Sequence, residues 1–404
     1  MNRLGPTPTI LSLLPALALA PVLIGVIMSV HSGGFPRLGE FICAAFQPSL
    51  EPEVVQSAWR GLQITVATAL FSWALSSILG ILLGIASASV VWQTCVVQSW
   101  PAILIRRLLA IPRAIHELLW GLLLLQILGL SPWVAILAII IPYTALVARV
   151  VSDQLDTQDR RALIALQQSG SKPFAALITA LGPKMGPVLM SYCGYRLECA
   201  LRGATLLGVF GMGGLGTDLQ LAFRSLEFQE LWTPLWMLAG VMFSLEQILS
   251  WFRSYLRSSK IPIRQMLITV ALMMTLAAIS LPWLNAVDID LSESLSWNPF
   301  PWPTLAELKI AINTLPWIQL ISSTVLVTFL AAGIAIGVPP MGMMLWPSRV
   351  GIGVQSYIWA LLRLIPTPIS ALLLLLFSQP SLAVAALALG AHNLGVMGRL
   401  LKEG

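Results

Sequence analysis

The sequence predicts an all-α, polytopic integral membrane protein, and three observations carry that expectation. Of 404 residues, 57% are hydrophobic and only 10% are Asp, Glu, Lys or Arg, whereas a soluble globular domain is about 25% charged. The mean hydropathy is +0.85. Apolar runs near 20 residues recur along the chain, the length that crosses about 30 Å of hydrocarbon at 1.5 Å per residue. Too few charges remain to cover a water-facing surface. That excludes a soluble enzyme, a nucleic-acid-binding module and a disordered scaffold. Only helices or closed barrels satisfy the backbone in lipid, and no alternating ten-residue pattern of the barrel kind recurs.

Ten segments are candidate spans: 9–30, 61–91, 114–130, 133–151, 187–210, 231–252, 265–284, 317–338, 367–379 and 381–398. The first follows Arg3 and contains Ala18-Leu19-Ala20-Pro21, which imitates a signal peptide. Its apolar run exceeds the usual apolar core of such a peptide, so it is expected to be a retained helix. The segments at 114–130 and 367–379 are short, and their ends are soft. Basic residues favour the cytoplasmic side. With the N-terminus inside, 17 of the 23 Lys and Arg face the cytoplasm, whereas ten of the 17 acids lie in outside loops. The N-terminus is therefore expected to be cytoplasmic. Cys43, Cys95, Cys193 and Cys199 show no metal-ligand or disulfide spacing and read as small apolar packing residues.

A parallel internal repeat is legible. Arg106-Arg107 before Ile111-Pro112 returns as Arg363 before Ile365-Pro366, an offset of 254. Gly80-Ile-Leu-Leu-Gly84 returns as Gly333-Ile-Ala-Ile-Gly337, an offset of 253. The first span matches 265–284 in the same order. The expected organisation is a six-helix first copy over 1–258, with a connecting loop at 152–186, and an incomplete four-helix second copy over 259–404.

The longest inside loop carries the most informative pattern. Residues 158–168 can form a short helix, Gly170 allows the turn that ends it, and Pro183 is expected to open a new segment before the membrane. Beyond it stands Tyr195-Arg196-Leu-Glu198-Cys-Ala-Leu-Arg202 and then Gly208-Val-Phe-Gly211-Met-Gly213-Gly214-Leu-Gly216. A charge at mid-membrane costs about 2.5–3.5 kcal/mol on insertion scales, and such residues usually face a path or a partner. Glu198 and Arg202 are four apart and can pair, while Arg196 lies on another face. One positive charge is then left over. Guanidinium suits phosphoryl oxygens because it donates in a planar fork. Both a packing cluster and a substrate path fit these residues. Gly211-x-Gly213-x-x-Gly216 matches a dinucleotide fingerprint only formally, because it follows a membrane helix instead of a strand. It is expected to break the helix and permit close approach. His116-Glu117 read as interface anchors, and His392-Asn393 as an interhelical hydrogen-bonding pair.

The run from Tyr195 to Gly216 closely resembles permeases of phosphonate and phosphite ABC importers, which share the Tyr-Arg, the later Arg, the Leu-Gly and the Gly-rich break. The loop before it, with Ala165, Gly170 and Pro183, resembles their ATPase-coupling loop. It departs from that pattern at Ile164 (Glu in the family), Leu166 (Ala) and Gly182 (Leu). The resemblance covers roughly 55–255 well and 265–403 more loosely. It implies a channel subunit in a bacterial plasma (inner) membrane, served by separate ABC ATPase subunits and an extracytoplasmic substrate-binding protein. It also implies either a second permease chain or self-association. ATP and Mg would then sit on the ATPase, with no cofactor on this chain. No phosphate-binding loop appears in this sequence, since Gly170-Ser171-Lys172-Pro173 lacks the first glycine and the hydroxyl. No catalytic constellation, metal cluster or nucleic-acid-binding patch appears either. The alternatives left open are a permease for another oxyanion or for ferric iron, a secondary transporter, and a truncated, non-transporting remnant.

Overall fold

The computed structural model describes residues 14–258, 262–286, 302–364 and 367–403. Among them the backbone is helical nearly throughout, apart from one isolated bridge between Val30 and Ser378. After a 3-10 turn at Leu14–Ala18 come α1 (Leu19–Met28), α2 (Gly34–Ala44), α3 (Pro52–Ser87) and α4 (Ser89–Cys95). Next are α5 (Trp100–Ala114), α6 (Glu117–Leu128), α7 (Pro132–Thr157), α8 (Arg161–Gln168) and α9 (Pro173–Leu207). The rest are α10 (Leu215–Ser225), α11 (Phe228–Ser258), α12 (Pro262–Ala286), α13 (Leu305–Thr314), α14 (Trp317–Leu345), α15 (Arg349–Leu364), α16 (Thr367–Leu375) and α17 (Leu382–Glu403). The chain is an all-α, multi-pass membrane protein.

Within the described residues each of the ten expected spans overlaps a helix, that at 61–91 running over α3 and α4; positions 9–13 of the first lie outside the described residues. Among the described residues, four helical stretches are long and apolar enough to cross a bilayer unaided: α3, α7, α14 and Leu382–Leu401 of α17. Three sharply bent pairs raise the number to seven. The expected span at 114–130 belongs to one of them. It is α6, preceded by a separate helix, α5, at 87° to it. Ile115 is extended between the two, and the His116 imidazole Nδ1 accepts the Leu118 N–H at 3.3 Å, capping α6. The helix expected at 187–210 begins earlier, at Pro173. Pro183 therefore lies inside α9 and opens no new segment; the 56° bend comes a turn later, between Gly186 and Ser191. Both Gly182-Pro183 and Gly186-Pro187 remove a backbone donor there, which is how a proline kinks a helix.

The chain divides into two compact units, Ser49–Phe300 and Met1–Pro48 with Pro301–Gly404. Within the first, α3 lies along α7 at very close range. A Cβ added to Gly80 would stand 2.6 Å from the Val147 Cβ, and one on Gly84 2.5 Å from the Val151 Cβ. Small residues four apart let two membrane helices approach to backbone contact. Below this seam, Val147, Val151 and Leu155 of α7 join Leu163 of α8 and Leu177 and Leu181 of α9 in one core. In the second unit, Val22 and Val26 of α1 pack with Ile334, Trp359, Val384 and Leu394. Gly333 and Gly337 there admit the backbone of Pro15 and Ala16.

The copies expected from the sequence and the compact units cut the chain at different places. α1, the opening helix of the expected first copy, packs on α14 and α17, whereas α12, the opening helix of the expected second copy, packs on α3 and α9.

Candidate functional site

The charged residues of α9 gather with groups from two other helices of the same unit. Glu198 and Arg202, one turn apart, are both buried, and an Arg202 Nη2 donates to the Glu198 carboxylate at 3.3 Å. Arg196 points elsewhere, as its six-residue separation from Arg202 requires. Its Nε donates to the Tyr192 hydroxyl at 3.1 Å. Its guanidinium carbon lies 4.8 Å from the ring centre of Tyr143, 5.4 Å from that of Tyr192 and 5.9 Å from that of Tyr195. A cation within about 6 Å of an aromatic face is attracted by the ring quadrupole, most strongly where water is scarce. Three tyrosines thus hold Arg196 without neutralising it.

Glu117 supplies a second carboxylate. Tyr143 donates to its Oε1 at 3.5 Å, and a Cβ on Gly203 would lie 3.5 Å from both that oxygen and the Tyr143 hydroxyl. α6 and α7 thus bring an acid and a phenol against α9 at Gly203, with room there for a methyl group in ordinary contact. Of the two residues expected as interface anchors, His116 is exposed and caps α6, whereas Glu117 turns inward to this cluster. Tyr143, and the inward role of Glu117, escaped the sequence reading because these residues lie 53 and 79 positions before Arg196. Tyr192 was legible in principle, standing one helical turn before Arg196 on the same face. The amide of Asn393 donates to the Leu389 carbonyl of its own helix at 2.9 Å, instead of bridging to another helix.

Above the cluster the helix breaks. Gly208–Met212 form a wide π turn, and Gly211, Gly213 and Gly214 have φ of +87°, +86° and +84°. Side chains resist this left-handed region, and glycine does not. The chain then folds back until Gly216 touches the Thr205 carbonyl and the Val209 amide. The Leu215 amide donates to Thr65 of α3 at 2.9 Å, and Ser57 donates to Asp218 at 2.8 Å. A third tie joins the α9 backbone to α3, where the buried Trp73 indole donates to the Cys193 carbonyl at 2.7 Å.

At the opposite end of α9, Gly170 has φ +84° and ends α8. Leu163 anchors α8 in the core, leaving Arg161, Ile164, Ala165 and Gln168 on one exposed face. Its approach is pinned by Asp156. That carboxylate accepts the Ser89 and Val90 amides at 3.2 and 2.9 Å, capping α4, and it pairs with Arg106.

These features define a polytopic α-helical membrane protein with a charged cluster buried where a broken helix meets its neighbours. No family model matches the chain, and no solved structure does. Curated relatives do match. The phosphate-import permease protein PhnE of Mycolicibacterium smegmatis is 27% identical over 157 residues, covering 39% of this chain and 29% of that protein. The putative phosphite transport system permease protein HtxC of Stutzerimonas stutzeri is 26% identical over 202 residues, 50% of this chain and 70% of the relative. The putative cryptic phosphonate transport system permease protein PhnE2 of Escherichia coli is 30% identical over 94 residues, 23% of this chain and 77% of the relative. The chain belongs to the phosphonate and phosphite transport permease family. It spans less than a third of the length of the mycobacterial relative.

Proposed function

We propose that this chain is a channel subunit of an ATP-driven ABC importer for a phosphonate or a related phosphorus oxyanion. The observation that carries the reading is Arg196, a guanidinium walled by Tyr143, Tyr192 and Tyr195 inside the membrane region. Only one of its N–H donors is spent on Tyr192 in that setting. A planar fork of donors in a low-dielectric wall suits a tetrahedral oxyanion. Glu198 pairs with Arg202 and Glu117 accepts from Tyr143, so the charge of Arg196, held by tyrosines, is the one that an incoming anion would meet.

The exposed face of α8, with Ile164 and Ala165, would dock in separate ATPase subunits. Gly170 gives the turn that transmits their closure through α9, and Gly211, Gly213, Gly214 and Gly216 beyond its end form the outer hinge. A loaded extracytoplasmic binding protein would dock at the opposite end, near α10. This mechanism is alternating access, with the N-terminus and α8 on the cytoplasmic side of a bacterial plasma membrane. A second permease chain or a second copy of this one completes the channel, and each copy of the internal repeat contributes helices to it.

Gentle extraction of the tagged native protein, followed by mass spectrometry of what accompanies it, tests the reading. A co-purifying ATPase is expected. Its absence under conditions that preserve other membrane complexes would move a secondary carrier or a non-transporting remnant ahead. Gly170→Val should abolish uptake of phosphonate while leaving membrane insertion intact. A β-branched residue at positive φ distorts the turn, and unchanged uptake would sink the coupling role.

A further inference from the structure

An acid and a base of the buried cluster stand on one tyrosine without meeting. The Arg196 guanidinium carbon lies 4.8 Å from the centre of the Tyr143 ring, and the hydroxyl of that ring donates to the Glu117 Oε1 at 3.5 Å. Arg202 pairs with Glu198, so the tyrosine separates the remaining cation from the remaining carboxylate.

Two contacts hold the Glu117 carboxylate, and both are long. Oε1 takes the Tyr143 hydroxyl at 3.5 Å, and Oε2 lies 3.5 Å from Nε2 of the exposed His116. Good O–H···O bonds measure about 2.7–2.8 Å, and a carboxylate offers about four lone-pair sites. Acceptor capacity is therefore left over on a side chain that is only 15% exposed. Holding Tyr143 does not require an acid. A glutamine carbonyl would accept the same hydroxyl, and a buried charge without a close partner is costly. Space is available beside the acid as well. At Gly203 the α9 backbone leaves room for a methyl-sized group 3.5 Å from both the Glu117 Oε1 and the Tyr143 hydroxyl.

A donor fork and an acceptor one ring apart define the ligand that suits both. Arg196 presents only N–H groups, and an ionised carboxylate presents only lone pairs. Charged oxygens match the first, and an oxygen bearing hydrogen matches the second. A phosphonate or phosphite monoanion carries both kinds on one phosphorus atom. A sulfonate or sulfate carries only the first.

We propose that Glu117 is a specificity-determining residue that accepts a hydrogen bond from the P–OH of an oxyanion whose charged oxygens lie on Arg196. An oxyanion without that hydrogen sets its own lone pairs against the carboxylate and is turned away. A site built to bond a hydroxyl rejects the analogue that lacks it, because a polar group is then left unpaired. The inference rests on the reading of Arg196 as the oxyanion contact and adds to it the protonation state of the cargo.

The test compares methylphosphonate monoanion with methanesulfonate, which share shape and charge and differ by one hydrogen. The full chain is set in phosphatidylcholine nanodiscs at mildly acid pH, where the phosphonate keeps its hydroxyl. Saturation-transfer NMR on the ligand methyl protons reads both dissociation constants. The native chain should bind the phosphonate about tenfold or more tightly than the sulfonate, the ratio supplied by one hydrogen bond to a charged group. Glu117→Gln keeps the side-chain size and an oxygen for Tyr143. It should bring the ratio towards one, chiefly by tightening methanesulfonate. Arg196→Gln should weaken both ligands alike. Equal binding of the two probes by the native chain would overturn the role of Glu117 without any variant, and so would a ratio that Glu117→Gln leaves unchanged; the oxyanion reading survives both outcomes. If the native chain binds neither probe, or Arg196→Gln binds both as tightly as the native chain does, the oxyanion reading fails and this inference falls with it.

Discussion

α3 and α14 carry the same Gly-x-x-x-Gly spacing, and the two helices live in different surroundings. Half of the most apolar 18-residue window of α3 is buried, against 22% of that of α14. The buried residues of α3 include Thr65, Thr68, Ser72, Ser76 and Ser77. The exposed ones of α14 include Ile318, Ile321, Val325 and Phe329. A helix enclosed by other helices gains from small hydroxyl residues, because they permit close backbones and bond to their own turn or to a neighbour. Thr65 does the latter, accepting the Leu215 amide that ends the glycine break. α14 carries hydroxyls as well, but Ser322, Thr324 and Thr328 are exposed and each donates to a carbonyl of its own helix. The comparison teaches that one glycine spacing serves two partners. On α3 it admits α7, and on α14 it admits the backbone of Pro15 and Ala16.

The comparison can be broken at its seams. The largest effect is expected from Gly84→Leu, whose side chain would run into Val151 and the Ala148 carbonyl. Overpacking costs about 1–3 kcal/mol where side chains can yield, and a backbone carbonyl cannot. The yield of monodisperse protein after extraction should fall more than tenfold. Gly337→Leu meets the backbone of Ala16 and Pro15 at still closer range, but that backbone belongs to the short N-terminal segment, which can move away as a piece. Limited proteolysis should then show the N-terminal helix released while the unit over 49–300 stays intact; equal damage from both variants would mean that the seams are equivalent.

Next in size is Glu198→Gln. Removing one member of a buried ion pair costs about 3–5 kcal/mol, because the remaining charge keeps its desolvation penalty. Chemical unfolding should show the loss, and Glu198→Leu with Arg202→Met should recover much of it. If the double variant is as unstable as the single one, packing rather than charge governs the cluster. Arg196→Gln should have a smaller effect on stability and a clear one on transport. Losing a charge-assisted hydrogen bond of about 1.5–3 kcal/mol should raise the half-saturating concentration of phosphonate roughly tenfold or more. An unchanged uptake curve would make Arg196 structural.

The smallest effect belongs to Asp218, outside the spans, where burial pushes the carboxyl above its ordinary value and the Ser57 hydrogen bond opposes the shift. A raised folded-state pKa favours the protonated form. The carboxyl therefore serves folding best at acid pH and less well as pH rises through the shifted value. Asp218→Asn keeps an oxygen for Ser57. Its Tm should match the wild type near pH 4 and edge above it at pH 7. The opposite trend would show that the ionised form is the one the fold holds.

Much of this architecture was legible in composition and spacing. Apolar runs long enough to span fix where helices form, because no other backbone arrangement satisfies itself in lipid. Gly170 and the Gly211–Gly216 run announced their turns, since few other residues accept positive φ. The Glu198–Arg202 pair followed from the helical period alone. Other features were invisible because they depend on residues far apart in the chain. Nothing near Pro183 says that α9 continues through it; the core around Leu177 and Leu181 keeps the helix going and moves the bend to Gly186–Ser191. Glu117 looks like an anchor until α7 brings Tyr143 beside it.

The sequence by itself determined the class, the helices, the breaks and the ion pair, all of which follow from local periodicity and the cost of polar groups in hydrocarbon. Only the tertiary structure decided which helices share a core. It placed α1 with α14 and α17 and α12 with α3 and α9, turned α5 at right angles to α6, and walled Arg196 with Tyr143. The physical reason is that hydrophobic burial is non-directional. An apolar stripe says that it must be covered, and shape complementarity between distant segments decides by what.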